Sequence, residues 1–402
     1  MTAFNILDDL PRILGELRGK IALVREDLNV PMADGRVSDD TRLRAAVPTL
    51  AALSDMGCIT LILAHFGRPK GKFDAALSLA SIAAPLAEVL GRSVTFMAEP
   101  SRDALAALPA GSIILAENSR FYAGEEANDP ALARSWAAWG DFYVNDAFSA
   151  AHRAHVTTEG LAHILPAFAG RSMEAELRAL DAALGSPKHP VAAVVGGAKV
   201  SSKIDVLVHL SSRVDHLIIG GGMANTFLAA RGVNVGKSLC EHDLLATVET
   251  IFAAAEAANC TVHLPYDVMV SREFAPNPPS LRSCNVHEVA ADEMILDVAP
   301  ASVEMLGDVL KNCATLVWNG PMGAFETPPF DAATVTLAKT AAALTREGSL
   351  VSVAGGGDTV AALHHAGVAG DFSFVSTAGG AFLEWMEGRE LPGVVALTRA
   401  KV

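Results

Sequence analysis

Short apolar runs rich in β-branched residues alternate along the chain with longer stretches whose apolar residues recur at helical spacing. Residues 21–27, 58–65, 93–97, 112–118 and 141–147 are runs of strand length with few polar interruptions, as expected of strands covered on both faces of a parallel sheet. Between the first two, Leu43, Val47, Leu50 and Leu53 fall on one face of a helix, and Gly57 stands where a helix end takes a left-handed residue. Strand and helix in steady alternation predict an α/β architecture.

After His155 the alternation pauses, and residues 171–190 predict a helix with Leu177, Leu180 and Leu184 apolar, closed by Gly185, Pro187 and Pro190. Strands resume at 191–197, 216–222, 261–265, 314–320 and 349–357, each beside helical periodicity. A chain of 402 residues has room for two or three domains. The expected fold is two doubly wound parallel-sheet, Rossmann-like domains, over 1–170 and 191–381, joined by a hinge helix over 171–190. Ligands of such folds bind outside the carboxyl ends of the strands, so polar residues that follow a strand are the candidates for chemistry.

Composition narrows the partners. Charged residues are 19% and hydrophobic ones 51%, which excludes a disordered chain. A net charge of −14 with no basic run argues against nucleic acid, and a polyanionic small substrate must then be held by a local cluster of cations or helix N-termini. The five cysteines, Cys58, Cys240, Cys260, Cys284 and Cys313, are scattered and form no CxxC pair, so neither a disulfide framework nor a zinc site is expected. The first twenty residues lack the pattern of a signal peptide, and no eighteen apolar residues run together. No membrane partner and a cytoplasmic location are expected.

Two constellations carry candidate chemistry. In the first half, Arg25, Asp27 and Asn29 lie in VREDLNVP, Arg42 begins a helix, His65 and Arg68 lie in AHFGRPKG, Arg120 ends AENSR and Arg153 lies in AHRAH. A lone arginine is ordinarily a solvated surface residue. Several at strand ends point to a small dianion with a carboxyl or acyl group, because the guanidinium fork fits those oxygens. The ordinary reading of His65, His152 and His155 is a hydrogen-bonded structural ring.

In the second half, VVGGAKVSSK runs from a strand through a glycine pair to Lys199 and Lys203, whose spacing predicts one shared helix face. IIGGGMA, WNGPMGAFE, AGGGDTV and STAGGA repeat the order of strand, glycines and helix. One Gly-Gly turn means little, but five such loops suit nucleotide phosphates. Asp358 has a helix-capping role as its plain explanation, and beside these glycines it is also placed to hold Mg2+. RGVNVGKS, residues 231–238, is one residue short of a P-loop and lacks the strand before it, so it is set aside.

Taken together, VREDLNVP, AHFGRP, AENSRF, AHRAH, GGAKVSSK, GGGMA, WNGPMGAFE, GGGDT and VSTAGGA resemble the phosphoglycerate kinase family in order and approximate spacing across essentially the whole chain. The resemblance implies a monomeric, Mg2+-dependent kinase of glycolysis and gluconeogenesis that exchanges phosphoryl between 1,3-bisphosphoglycerate with ADP and 3-phosphoglycerate with ATP. It implies a triose site of Asp27, Leu28, Asn29, Arg42, His65, Phe66, Gly67, Arg68, Arg120 and Arg153. The implied nucleotide site is Gly197, Lys199, Lys203, Gly220, Gly221, Gly222, Asn319, Glu326, Gly356, Gly357, Asp358 and Thr359, with Asp358 on the metal. Arg42, Lys199, Lys203 and the backbone at Gly379 and Gly380 would cradle the transferring group, and residues 382–402 would return to the first domain.

Four positions depart from the family pattern. Ala378 replaces the first of three glycines, Phe374 stands for a polar ring, Asn225 replaces an aromatic residue and Glu26 is unusual within its motif. The alternatives to the kinase are a catalytically impaired relative that binds the same ligands, and an ATP-dependent kinase of another small carboxylate.

Overall fold

The computed structural model describes residues 4–398, so residues 1–3 and 399–402, including the end of the expected returning segment, lie outside the described residues. Two compact units divide the chain, one of residues 4–177 with 390–398 and one of residues 178–389.

The first unit contains α1 (Leu10–Leu14), β1 (Ile21–Arg25), a short hairpin of β2 (Met32–Ala33) and β3 (Arg36–Val37), α2 (Thr41–Asp55), β4 (Ile59–Leu63), α3 (Ala80–Leu90) and β5 (Thr95–Met97). It continues through α4 (Arg102–Ala106), β6 (Ile113–Ala116), α5 (Pro130–Ala137), β7 (Phe142–Asn145), β8 (Ala167–Ala169) and the start of α6 (Arg171–Leu180). Six strands form one parallel sheet in the order β5-β6-β4-β1-β7-β8. The chain winds outward from β1 on one side and then returns to β7 on the other, so its direction reverses beside β1, where ligands of doubly wound folds bind.

β1 is buried at all five positions. Its Ala22 and Val24, with Phe142 and Val144 of β7, share a core cluster with Leu43, Ala46, Leu50 and Leu53 of α2. Val47 is only half-buried and Thr49 is buried, so the inward face of α2 is turned slightly from the expected one. Gly57 follows this helix at φ +77°, the left-handed residue expected there.

The second unit holds the rest of α6 and then β9 (Val191–Val195), α7 (Ile204–Ser211), β10 (His216–Ile219), α8 (Gly221–Ala230), α9 (Leu245–Ala257) and β11 (Thr261–His263). There follow β12 (Asp267–Ser271), β13 (Arg282–Asn285), β14 (Met294–Val298), α10 (Pro300–Lys311), β15 (Thr315–Asn319), α11 (Ala332–Arg346), β16 (Val351–Gly355), α12 (Gly357–His365), β17 (Phe374–Ser376) and α13 (Gly380–Met386). The parallel sheet has the order β11-β10-β9-β15-β16-β17. A separate antiparallel sheet, β13-β12-β14, adds to the two parallel sheets expected from sequence.

The last helix, α14 (Pro392–Thr398), belongs to the first unit. The return begins at Glu390 rather than at residue 382, because Phe382 and Met386 of α13 are fully buried in the second unit, Phe382 against Gly355 at the end of β16. The division between the units falls within α6, between Leu177 and Arg178. One wider helical turn, Asp181–Gly185, follows α6 before the strands resume.

Candidate active site

Beyond the carboxyl end of β1 the chain leaves the sheet and turns through Asp27 and Asn29. The Asp27 carboxylate accepts from the Asn29 backbone N–H at 3.1 Å, from Arg42 Nη1 at 3.1 Å and from the Ser149 hydroxyl. Arg42 Nη1 also donates to the Asn29 carbonyl at 2.8 Å, and Asn29 Oδ1 accepts from the Gly67 N–H at 2.9 Å. Leu28 and Phe66 are buried and anchor their loops. Asn118 Nδ2 donates to the Phe66 carbonyl at 2.7 Å and Arg120 Nη1 to the Gly67 carbonyl at 2.9 Å, which holds the loop after β4 in place. Arg68 on that loop is exposed, and Arg153 is half-buried with its Nε 3.0 Å from His152 Nε2.

Arg25, a residue of the sequence constellation outside the implied triose set, is only 1% exposed and its Nη2 lies 2.7 Å from His65 Nδ1. A guanidinium only donates, so Nδ1 accepts and the ring proton sits on Nε2. Burial first, and then the charges of Arg25, Arg120, Arg153 and Arg42, push the His65 imidazole well below its usual range. Burial first, and then the charges of Arg120, Arg25 and Arg153 with His152, bring His155 to about 4. Both rings are therefore neutral in a strongly cationic setting. Sequence reading missed Ser149, which has no motif signal beyond lying near AHRAH.

In the second unit three glycine loops pack backbone against backbone. A Cβ on Gly196 would lie 1.9 Å from the Pro321 carbonyl oxygen, and one on Gly320, at φ +104°, would lie 2.2 Å from the Gly196 carbonyl oxygen. Lys203 Nζ donates to the carbonyls of Gly196 at 2.7 Å and Asn319 at 3.1 Å, and burial lowers its pKa to about 8 against the opposing pull of Asp358. Asn319 Nδ2 donates to the Gly355 carbonyl at 2.7 Å, and Thr359 Oγ1 accepts from the Gly320 N–H at 2.7 Å. Gly356, at φ +96°, turns the chain into α12, which begins at Gly357 and sets Asp358 exposed in its first turn.

One expectation is corrected here. Lys199 and Lys203 do not share a helix face: both have extended φ values, of −134° and −139°, and flank a single turn over Val200–Ser202, with α7 starting only at Ile204. The Gly-Gly turn sets the chain direction, and the helix forms after it.

A cavity of about 520 Å³ opens beside these loops, lined by Gly197, Gly221, Gly222, Glu326 and Asp358 together with Leu239, Phe274 and Met322. Leu239 and Phe274 are 48% and 60% exposed, which gives the cavity an apolar wall that sequence reading missed. Leu239 follows the discarded RGVNVGKS stretch, and Phe274 follows the unexpected strand β12. Ala378 is buried and does not have a positive φ, so its methyl group is accommodated, while Gly379 beside it has φ +43°. Phe374 is half-buried on β17, and Asn225 is buried with Nδ2 donating to the Leu239 carbonyl at 3.2 Å.

Among the described residues no three His, Cys, Asp or Glu side chains converge as a metal site, and no helix is long and apolar enough to cross a membrane. The second unit thus offers a metal the exposed carboxylate of Asp358 beside a cavity that Glu326 also lines. That fits Mg2+ arriving on nucleotide phosphates, since this ion commonly takes one or two protein carboxylates and fills its remaining positions with phosphate and water.

An arginine-rich sheet edge on one α/β unit and, on the other, a glycine-lined cavity with Lys203 beside its Gly197 loop suit a phosphotransferase. The sequence model of the family described as "Phosphoglycerate kinase" matches residues 12–389. The chain is 72% identical to the phosphoglycerate kinase of Novosphingobium aromaticivorans over 98% of this chain and 99% of that protein. It is 69% identical to that of Sphingopyxis alaskensis, over 99% and 100%. The solved phosphoglycerate kinase of Coxiella burnetii superposes with a TM-score of 0.92 at 40% identity, covering 99% of this chain and all of that one. The Pyrococcus horikoshii enzyme gives 0.76 at 29% identity, with 98% of each chain covered. The chain belongs to the phosphoglycerate kinase family, phosphotransferases whose acceptor is a carboxyl group.

Proposed function

We propose that the protein catalyses reversible, Mg2+-dependent phosphoryl transfer between 1,3-bisphosphoglycerate and ADP, giving 3-phosphoglycerate and ATP. The observation that carries this reading is the gathering of Arg25, Arg42, Arg68, Arg120 and Arg153 at one sheet edge of a chain whose net charge is −14. So much local positive charge in an acidic protein calls for a compact polyanion.

An acyl phosphate needs little proton transfer, because its leaving carboxylate is already stable. The work left to the protein is placement and charge neutralisation. Arg120, Arg153 and Arg68 bind and orient the triose, and neutral His65 donates through Nε2 without adding charge. Arg42, held by Asp27 and the Asn29 carbonyl, is oriented toward the transferring oxygens. Lys203 and Lys199 meet the nucleotide phosphates, Asn319 and Thr359 hold the loops around them, and Glu326 receives the ribose. Asp358 holds Mg2+, which when bound neutralises phosphate charge. Gly379 and Gly380 offer backbone N–H groups to the same oxygens.

Triose and nucleotide bind to different units, so transfer requires a closed state that excludes water and sets donor and acceptor in line. The hinge for that closure lies in α6 and the turn that follows it.

The test is to incubate the protein with 3-phosphoglycerate and Mg-ATP, with hydroxylamine present to trap the acyl phosphate, and to follow ADP. Turnover that depends on both Mg2+ and the 3-phosphate is expected. Tight binding of both ligands without turnover would instead favour a catalytically impaired relative.

A further inference from the structure

β1 and β7 lie side by side in the first sheet with Arg25 opposite Asn145. The residues immediately beyond them, Glu26 and Asp146, follow the apolar rows Ala22, Val24 and Phe142, Val144 on the face covered by α2. Both acids are almost fully buried, at 2% and 5% exposed, and their carboxyl groups hydrogen-bond to each other. Glu26 Oε1 and Asp146 Oδ2 have no other hydrogen-bond partner among the described residues.

Two facing carboxyls can bond only if one keeps its proton. The surroundings decide which one does. Asp146 Oδ1 accepts from the Met173 N–H at 3.0 Å, and Thr49, whose Oγ1 accepts from the Arg171 N–H at 2.7 Å, and the Ser172 N–H also bond to this carboxyl. Burial raises the Asp146 carboxyl to about 7, and these donors at the start of α6 work against that rise. The groups facing Glu26 are Asp146 and Asp27, which oppose its ionisation, and Arg25, which favours it. The Arg25 guanidinium is already engaged with His65 and the Glu26 carbonyl. Glu26 is therefore the proton carrier and donor.

We propose that Glu26 is a positioning residue for the triose site: its hydrogen bond to Asp146 ties the Asp27–Asn29 loop to the start of α6 and so keeps Arg42 and Asn29 in register. This rests on the triose reading above. Loss of the proton sets two carboxylates against each other beneath that loop and adds a negative charge behind a site for a dianion. Triose affinity then falls, while the nucleotide site on the other unit is untouched.

The experiment measures KM for 3-phosphoglycerate, KM for Mg-ATP and kcat from neutral to alkaline pH, in the wild type, Glu26→Gln and Asp146→Asn, with folding checked by circular dichroism. In the wild type the triose KM should rise about tenfold as pH increases through the Glu26 titration, the change of one pK unit in linked affinity. Glu26→Gln keeps a donor that cannot ionise, and that rise should shrink to less than about twofold. In Asp146→Asn an amide donor faces Glu26 and ionisation no longer sets two carboxylates against each other, so the rise should shrink as well. A Glu26→Gln protein that keeps the wild-type rise, or that changes KM for Mg-ATP and kcat as much as the triose KM, overturns the proposal.

Isotope-edited infrared spectroscopy of the wild type, with glutamate labelled, adds a readout independent of variants and turnover. A protonated buried glutamate band at neutral pH should fade over the same pH range, and its absence also overturns the proposal. Wild-type protein without turnover on 3-phosphoglycerate at any pH, but with that band present, would refute the triose reading and leave the carboxyl pair standing.

Discussion

Arg25 and His65, forty positions apart, meet with Nη2 2.7 Å from Nδ1. They come from the ends of neighbouring strands, since Arg25 pairs with Leu63 in the register of β1 and β4. Burial first, then this contact and the neighbouring arginines, keep the imidazole neutral, and the contact sets its proton on Nε2. Nitrogen-detected NMR should find one tautomer and no imidazolium through the ordinary histidine range. A ring that titrates near 6.5 would show that the guanidinium does not control it. In Arg25→Met the titration should move up toward the ordinary range, with burial and the other arginines still holding it low.

Removing the cation at Arg42 should cost about 100-fold to 1000-fold in kcat, the usual loss for one charge-stabilising donor. Binding of Mg-ADP should stay as it was, because Arg42 belongs to the other unit. Steady-state kinetics with calorimetry on Arg42→Ala checks both halves of this expectation.

Lys203 is held at about 8 by burial, so free enzyme loses this charge as pH rises past that value. The affinity for Mg-ADP should weaken above about pH 8 for the same reason. Lys203→Met should bind with little pH dependence there and turn over about 100-fold more slowly. Equal pH dependence in variant and wild type would assign the titration to another group.

Asp297 is buried beside Gly323, accepts from the Ala333 N–H at 3.0 Å and has its pKa raised to about 8 by burial. In the unfolded chain such an acid loses its proton near pH 4. Folded protein thus holds a proton that unfolded protein lacks between those limits. The stability linked to it is fully present below about pH 4 and drains away as pH rises through about 8. Urea unfolding from pH 5 to pH 8.5 should therefore show a fall in stability that is flatter in Asp297→Asn.

A methyl group at Gly320 meets both an unfavourable φ and the Gly196 carbonyl. Gly320→Ala should lose about 3 kcal/mol, the upper range for overpacking, with the loss confined to the second unit. Unfolding followed by tryptophan fluorescence can detect it, because Trp318 is buried two residues away and its indole N–H donates to the Gly320 carbonyl.

The sequence disclosed the elements whose burial is complete on both faces. β1, β4, β6, β7, β9 and β15 are four- or five-residue runs, mostly apolar and buried at every position. β8 is three residues of Ala, Phe and Ala at a sheet edge, too short and too poor in β-branched residues to stand out. The antiparallel sheet was hidden because β13 is mostly exposed, with only Cys284 turned inward. For the site, charged residues at strand ends were legible because the fold puts such positions on one edge. The Arg25 and His65 contact was not, since it depends on the register of two strands. The apolar wall of Leu239 and Phe274 was illegible for a related reason: exposed apolar residues in loops carry no periodic signal.

The first unit is discontinuous in sequence. Gly393, in the first turn of α14, donates its N–H to the Ala151 carbonyl at 2.9 Å, and a Cβ there would come within 3.0 Å of Ala151, leaving no slack at the contact. Ala151 opens the loop that carries Arg153, and Thr158 at its far end bonds back to the Arg153 carbonyl. During synthesis on the ribosome, the segment that braces this loop emerges only after the whole second unit. The unit begun first is thus completed only after the other has been made, and a chain that stops before α14 would carry a whole second unit and an unfinished first one.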